Sequence, residues 1–234
     1  MAGVCGILVA AGSGERLGLS DPKAFALLAG QPLLVHAARA LEAAVDELVV
    51  VIAPGRVAQA TSVLEAAGIA HHTVCEGGAT RSDSVRCGLV AATRETVLVH
   101  DAARPLATGR LARRTLHALD MGWDAVAPGL PVVDTLKVVA AGGAGHAEAG
   151  PAVHAVRVHS TPDRSTLWAV QTPQAFRGEW LRMAHASGAH ATDDLALVER
   201  AGGRVALVPG ERTNMKVTFP EDLAAAEALV AWPR

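Results

Sequence analysis

Lysine is scarce in this chain. Among 21 basic residues only Lys23, Lys137 and Lys216 are lysines; the rest are arginines. Cysteine is scarce too. Cys5, Cys75 and Cys87 show neither the paired spacing of a zinc site nor histidines at ligand spacing. They are expected to be buried, reduced thiols of a cytoplasmic protein. No window of about 18 residues is apolar throughout, so no membrane span is expected. No basic segment precedes a long apolar stretch at the N-terminus, so no signal peptide is expected either. A formal net charge of −2 gives no surface for nucleic acid. The ten histidines are scattered, without a Ser–His–Asp or metal-hydrolase pattern, and read as surface or structural.

What is present is apolar and periodic. Half of the 234 residues are hydrophobic, which suits one domain over residues 1–234. Cys5 to Ala10, Leu48 to Ala53, Ile69 to Cys75 and Thr96 to His100 read as strands, the clearest of them continuous apolar runs. Helices are expected after Pro32, from Val57 to Ala67 and from Ser84 to Thr93. This alternation predicts an α/β fold, a mostly parallel sheet with helices on both faces. The period then breaks. Val132 to Val139 and Val153 to His159 flank AAGGAGHAEAGPA and predict a β-hairpin, an arm-like excursion over about 131–164. Helices near Gly178 to Ala186 and Asp193 to Ala201, a strand at Arg204 to Val208 and a helix from Pro220 to Ala231 complete the chain.

Chemistry concentrates where strands end. LVAAGSGERLGLSDPKAF follows the first strand and carries Gly12, Gly14, Arg16 and Lys23. Its glycines fit neither G-x-G-x-x-G nor a Walker loop, yet a glycine loop with its own cations suits a polyphosphate. HDAARP ends the fourth strand. Asp101 there can hold Mg²⁺ beside a phosphate, and Arg104 can bind a phosphate bidentately. EGGATRSDSV is a second glycine turn entering a helix. Gly77, Gly78 and Ser84 can approach a base or sugar, and Arg81 either meets a phosphate or pairs with Asp83. The surviving lysines mark positions where a compact ammonium serves better than a guanidinium.

AAGSGERLG, PKAF, GGATRSDSV, HDAARP, DTLK, TPDRSTLW, QTPQAF, ATDDLALVE and NMKVTFPEDL occur in the order found in 2-C-methyl-D-erythritol 4-phosphate cytidylyltransferases, and the chain resembles that family over nearly its whole length. The resemblance implies a Rossmann-like nucleotidyltransferase fold with a protruding β-arm that builds a homodimer. It implies Mg²⁺-dependent cytidylyl transfer from CTP to a polyol phosphate, releasing pyrophosphate. It places Ala10, Ala11, Gly12 and Gly14 at the nucleotide, Arg16 and Lys23 as cations on the triphosphate, and Gly77, Gly78 and Ser84 at cytosine and ribose. Asp101 stands next to the metal. Arg104, Thr135 and Thr192 meet the methylerythritol phosphate, Arg164 reaches the neighbouring subunit's substrate, and Lys216 touches both ligands. Ala79 stands where many relatives carry an acid.

The chemistry is sensible on its own terms. A phosphate monoester has a second pKa near ~6, so the nucleophile is already mostly a dianion at neutral pH and needs no general base. Cations must instead bring two anions together. A ribitol 5-phosphate cytidylyltransferase shares the nucleotide half of these motifs, but that group tends to carry an AGG-type first loop rather than Ala10-Ala11-Gly12. A non-catalytic nucleotide-sensing domain would not need Arg16, Lys23, Asp101 and Lys216 together.

Overall fold

The computed structural model describes residues 3–18, 21–139, 156–186, 188, 189, 191 and 193–232. β1 (Val4–Ala10) is apolar on both faces because it lies inside a covered sheet. Leu8 and Ala10 join one core, Cys5 and Ile7 the other. A short antiparallel pair, β2 (Leu27–Leu28) and β3 (Gln31–Pro32), leads into α1 (Leu33–Glu42). β4 (Glu47–Ile52), α2 (Val57–Ala66), β5 (His72–Glu76), α3 (Arg81–Ala91) and β6 (Thr96–Asp101) follow as the alternation predicts.

β5, β4, β1 and β6 pair in parallel in that order. The chain runs outward from β1 through β4 to β5, then crosses back to place β6 on the other side of β1. β1 and β6 therefore flank a switch point, where their carboxyl ends open a crevice.

The second half adds α4 (Gly109–Asp120) and β7 (Ala125–Pro131), two elements the sequence pattern does not announce. α4 is crowded with arginines, and β7 contains Pro128 and Gly129, which mask a strand. After β8 (Val138–Val139) and β9 (Val158–Ser160) come β10 (Trp168–Val170) and β11 (Gln174–Arg177). Both run antiparallel to β7: β11 at Ala125 and Val126, β10 from Gly129 to Pro131. They are two lengths of one interrupted strand, and β11 also borders β6. α5 (Gly178–Ala186) and α6 (Asp194–Arg200) precede β12 (Val205–Pro209), which joins β7 in parallel, and α7 (Pro220–Ala231) follows.

Helices cover both faces. α1, α2 and α4 pack their Leu34, Leu41, Leu64 and Leu119 against Leu8, Val50 and Leu98. α3, α5 and α6 pack Val85, Leu181 and Val198 against Ile7, Val51 and Val99. α3 lies close to the sheet because Gly88 has no side chain; a Cβ there would stand 2.6 Å from Ile7 Cγ2.

The hairpin expectation is only partly met. Val138 and Val139 pair with Ser160 and Val158, but 132–137 form no strand. Val132 N–H is drawn instead to the carbonyl of Leu167, and Lys137 Nζ donates to Thr161 Oγ1 at 2.7 Å. The expected tip and the start of its second strand lie outside the described residues. Among the described residues no helix is long and apolar enough to cross a membrane. The three cysteines are free, but only Cys5 is fully buried; Cys75 and Cys87 are half-buried. Burial, helped by the charge of Glu47, pushes the Cys5 thiol up to about 12.

Candidate active site

A cleft of about 730 Å³ opens at the carboxyl ends of β1 and β6. One wall is the backbone from Ala10 to Arg16; the others carry Lys23, Gly78 to Arg81, Ser84, Asp101, Lys216 and Thr218. The glycine loop is shaped around Lys23. Gly14 has φ +80°, and a Cβ on it would lie 2.8 Å from Lys23 Cβ and 2.9 Å from its backbone nitrogen. A side chain at position 14 would push the lysine out of place.

The second glycine turn is a packing device as well. A Cβ at Gly77 would come within 2.6 Å of Ala11 Cβ and 2.7 Å of Ser84 Oγ, and one at Gly78 would collide with Asp83. Gly77 itself does not line the cleft; Gly78 does. α3 then starts on a capping box. Thr80 Oγ1 accepts from Asp83 N–H at 3.1 Å, and Asp83 Oδ2 accepts from Thr80 N–H at 3.0 Å. This start fixes Arg81 and Ser84 on the first turn, facing the loop after β1.

Asp101 is the centre of the charge distribution. Its Oδ1 accepts from Arg81 Nε at 3.0 Å and its Oδ2 from Lys216 Nζ at 2.8 Å. Burial alone would raise its pKa, but Arg81 and Lys216 outweigh burial and hold the carboxyl well below the usual carboxylate range. Behind it, Thr172 Oγ1 accepts from Asp101 N–H at 3.1 Å and lies 2.8 Å from His100 Nδ1. Burial lowers His100 to about 4, so the ring is neutral. It braces the strand end and carries no charge into the cleft.

Lys23 has the opposite problem. Burial first, then the neighbouring charges of Lys216 and Arg16, lower its ammonium from 10.5 to about 8; Asp101 and Asp222 only partly oppose this. Four cations, Arg16, Lys23, Arg81 and Lys216, thus line a cleft with a single buried carboxylate, leaving a field that favours an anionic ligand.

Several expected residues stand elsewhere. Arg104 does not line the cleft; its guanidinium donates to the carbonyls of Asn214 at 2.8 Å and Val170 at 3.3 Å. Arg164 Nη1 donates to the carbonyl of Val133 at 2.6 Å, and Thr135 is exposed in that same stretch. Neither lines the cleft. Thr192 lies outside the described residues. The Arg81–Asp83 pairing does not form: Asp83 takes Arg86 and the helix cap, while Arg81 takes Asp101 and Asp194.

Asp194, His185, Thr218 and Phe219, which no sequence motif singles out, also join the site or its supports. Asp194 Oδ2 accepts from Arg81 Nη1 at 2.7 Å. Phe219 lies under the Arg16 guanidinium at 5.8 Å from its ring centroid. The motifs ATDDLALVE and NMKVTFPEDL contained both positions, but nothing local distinguishes Asp194 from its capping neighbour Asp193.

The sequence of residues 4–231 matches the family model described as IspD: 2-C-methyl-D-erythritol 4-phosphate cytidylyltransferase. A 2-C-methyl-D-erythritol 4-phosphate cytidylyltransferase of Rhodococcus jostii is 46% identical over 231 residues, covering 97% of this chain and 95% of the relative. A bifunctional enzyme IspD/IspF of Anaeromyxobacter dehalogenans is also 46% identical, over 98% of this chain; the chain spans 58% of that relative's length. The crystal structure of the Thermus thermophilus cytidylyltransferase superposes with a TM-score of 0.74 at 35% identity, over 97% of this chain and 98% of its own. The 4-diphosphocytidyl-2C-methyl-D-erythritol synthase of Anaerococcus prevotii gives 0.81 at 27% identity, over 98% and 96%. With its cleft at the β1–β6 switch point and this match along nearly every residue, the chain belongs to the IspD family, the 2-C-methyl-D-erythritol 4-phosphate cytidylyltransferases.

Proposed function

We propose that this chain transfers a cytidylyl group from CTP to 2-C-methyl-D-erythritol 4-phosphate, giving the CDP-linked methylerythritol and pyrophosphate. The observation that carries the reading is the convergence of Arg16, Lys23 and Lys216 with Asp101 on one cleft beside a glycine loop. The backbone of Ala10, Ala11 and Gly12 presents N–H groups to the triphosphate, and Gly14 keeps Lys23 against it. Gly78 and Ser84 face the nucleoside from the opposite wall, with Gly77 letting that wall close on Ala11.

The substrate phosphate arrives as a dianion, so no side chain has to remove a proton. Lys23 and Arg16 neutralise charge that grows on the triphosphate as pyrophosphate leaves. Lys216, held by Asp101, aligns the incoming phosphate. The donor chemistry fits Mg²⁺. Both Asp101 oxygens accept from a cation, Oδ1 from Arg81 and Oδ2 from Lys216, so an Mg²⁺ ion held by Asp101 and substrate phosphates would share one of those oxygens or displace its cation. When bound, it would add positive charge beside those phosphates.

The polyol phosphate needs further contacts. Arg164 and Thr135 lie off the cleft of their own chain, which supports a homodimer in which the segment after the β8–β9 ribbon carries Arg164 to the other subunit. Exposed Val138, Val139, Val156 and Val158 on that ribbon support such a contact. The free thiols of Cys5, Cys75 and Cys87 support a reducing, cytoplasmic setting.

The test is pyrophosphate release with each of the four nucleoside triphosphates and a panel of polyol phosphates. Release is expected with CTP and methylerythritol phosphate. Faster turnover with ribitol 5-phosphate, or with another nucleotide, would overturn the assignment.

A further inference from the structure

Asp194 has no exposed surface and does not line the cleft, yet only one side chain, Arg81, separates it from Asp101. Its Oδ2 accepts from Arg81 Nη1 at 2.7 Å, and its Oδ1 faces His185 Nε2 at 2.9 Å. His185 is buried too, and its Nδ1 finds no hydrogen-bond partner among the described residues. Helix capping does not explain this acid, because the preceding Asp193 caps α6 by accepting from Ala196 N–H at 3.0 Å. Nor is stability a sufficient reason. A buried ion pair is often no more stabilising than apolar side chains of the same volume.

We propose that Asp194 is a positioning residue for the transfer reaction: by holding one arm of Arg81 it leaves Asp101 free to fix Lys216 in the cleft. The argument is one of sharing. A guanidinium facing a single carboxylate prefers two parallel hydrogen bonds, which occupy both oxygens. Here each acid takes one hydrogen bond from Arg81, Nε going to Asp101 and Nη1 to Asp194. The second oxygen of Asp101 is thereby available, and Lys216 Nζ occupies it at 2.8 Å. Charges alternate along the line Asp194, Arg81, Asp101, Lys216, and the first three side chains are at most 23% exposed, so water screens them little. Without the charge of Asp194, two cations compete for one carboxylate. Arg81 has the better geometry for both oxygens, and Lys216 is released. His185 holds Asp194 from behind and so fixes the direction from which it pulls.

The inference rests on the proposed role of Lys216, and its test separates the two. Asp194→Asn keeps the shape and removes the charge. It should lower kcat about tenfold or more while the KM for CTP changes less than about threefold, because alignment is lost rather than nucleotide binding. In a Lys216→Ala background the same substitution should change kcat by less than about twofold, since its target is already gone. A loss of the same size in both backgrounds, or no loss in the first, would overturn the proposal. His185→Leu gives a second approach should Asp194→Asn not fold: a smaller loss of kcat, again absent beside Lys216→Ala. A readout that needs no turnover is acetylation of Lys216 by acetic anhydride, followed by mass spectrometry. Lys216 should react several-fold faster in Asp194→Asn than in the parent chain; equal rates would sink the idea even if activity had fallen. If Lys216→Ala alone kept full turnover, the reading of Lys216 would fail, while the labelling result would still report on Asp194.

Discussion

The guanidinium carbon of Arg16 lies 5.8 Å from the centroid of the Phe219 ring, joining the glycine loop to the start of α7. Phe219 is half exposed, and its backbone N–H is fixed by Asp222 Oδ2 at 2.8 Å. A stacked cation of this kind is worth about 0.5–1 kcal/mol at an exposed site. Phe219→Ala should therefore lower kcat/KM for CTP by about two- to fivefold, through an Arg16 that samples more rotamers. Phe219→Trp should restore the parent value and Phe219→Leu should not. If Leu served as well as Trp, the ring would be acting only as apolar packing.

Lys23 should show opposite pH effects on activity and on stability. Its ammonium is lowered from 10.5 to about 8 in the folded chain, first by burial and then by Lys216 and Arg16. The charged form is the one that meets the triphosphate, so kcat/KM for CTP should fall as pH rises through about 8. Stability of the unliganded chain should move the other way. Between about 8 and 10.5 the unfolded chain holds the proton more tightly, so this lysine adds stability as pH rises through that window. Lys23→Met should remove that increment in a thermal-melt series. An increment that persisted would assign it to another group.

Replacing the same side chain tests the chemistry. Lys23→Ala should cost turnover about a hundredfold, with a much smaller loss of CTP affinity, because its charge is needed most as pyrophosphate leaves. Lys23→Arg should also be impaired, since a planar guanidinium does not reproduce the reach and hydrogen-bond geometry of a compact ammonium. Steady-state kinetics with CTP titrations by calorimetry would separate the two quantities, and an unimpaired arginine variant would show that the ammonium is not special.

Why these lysines stood out in the sequence, and why Asp194 did not, has a physical basis. A chain that uses arginine almost everywhere leaves each lysine conspicuous, and two of the three line or border the cleft. Continuous apolar runs such as LVVVI announce strands buried on both faces, and the final helix begins at Pro220 where the sequence placed it. α4 and β7 were hidden because arginines blur one pattern and Pro128 with Gly129 interrupts the other. Arg81 was legible as a cation but not as a bridge. Its partners Asp101 and Asp194 are 20 and 113 residues away, a proximity that only the folded sheet creates. A glycine turn at Gly77 suggests a ligand contact in the sequence; the close approach of Ala11 and Ser84 supplies a packing reason for the same residue.

Asp101→Asn removes the acid that Arg81 and Lys216 share. Its carboxyl is held low by those two cations against the effect of burial, so the charged form contributes stability at neutral pH. That contribution is present above the ordinary value of 3.8 and is lost as acid titrates the folded group. The variant should melt at a lower temperature than the parent at pH 7, with the gap closing toward strongly acidic pH. Its activity should fall and raised Mg²⁺ should restore only part of it. An unchanged Mg²⁺ dependence would move the metal to another ligand.

The ribbon prediction concerns Arg164. Its Nη1 is tied to the Val133 carbonyl and it stands off the cleft of its own chain, while a two-residue ladder such as β8 with β9 is marginal without a partner surface. A second copy across a two-fold axis would supply that surface and place Arg164 at the neighbour's cleft. Arg164→Ala and Lys23→Ala subunits should each be nearly inactive alone. Mixed under exchange conditions, half the dimers are heterodimers; in each, one site carries both defects and the other carries neither. Activity should return to about a quarter of the parent value at equal mixing. If Arg164 served its own chain, every site of every dimer would keep one defect. Subunit exchange shown by mass spectrometry, with no activity regained, would then rule out an action across the interface.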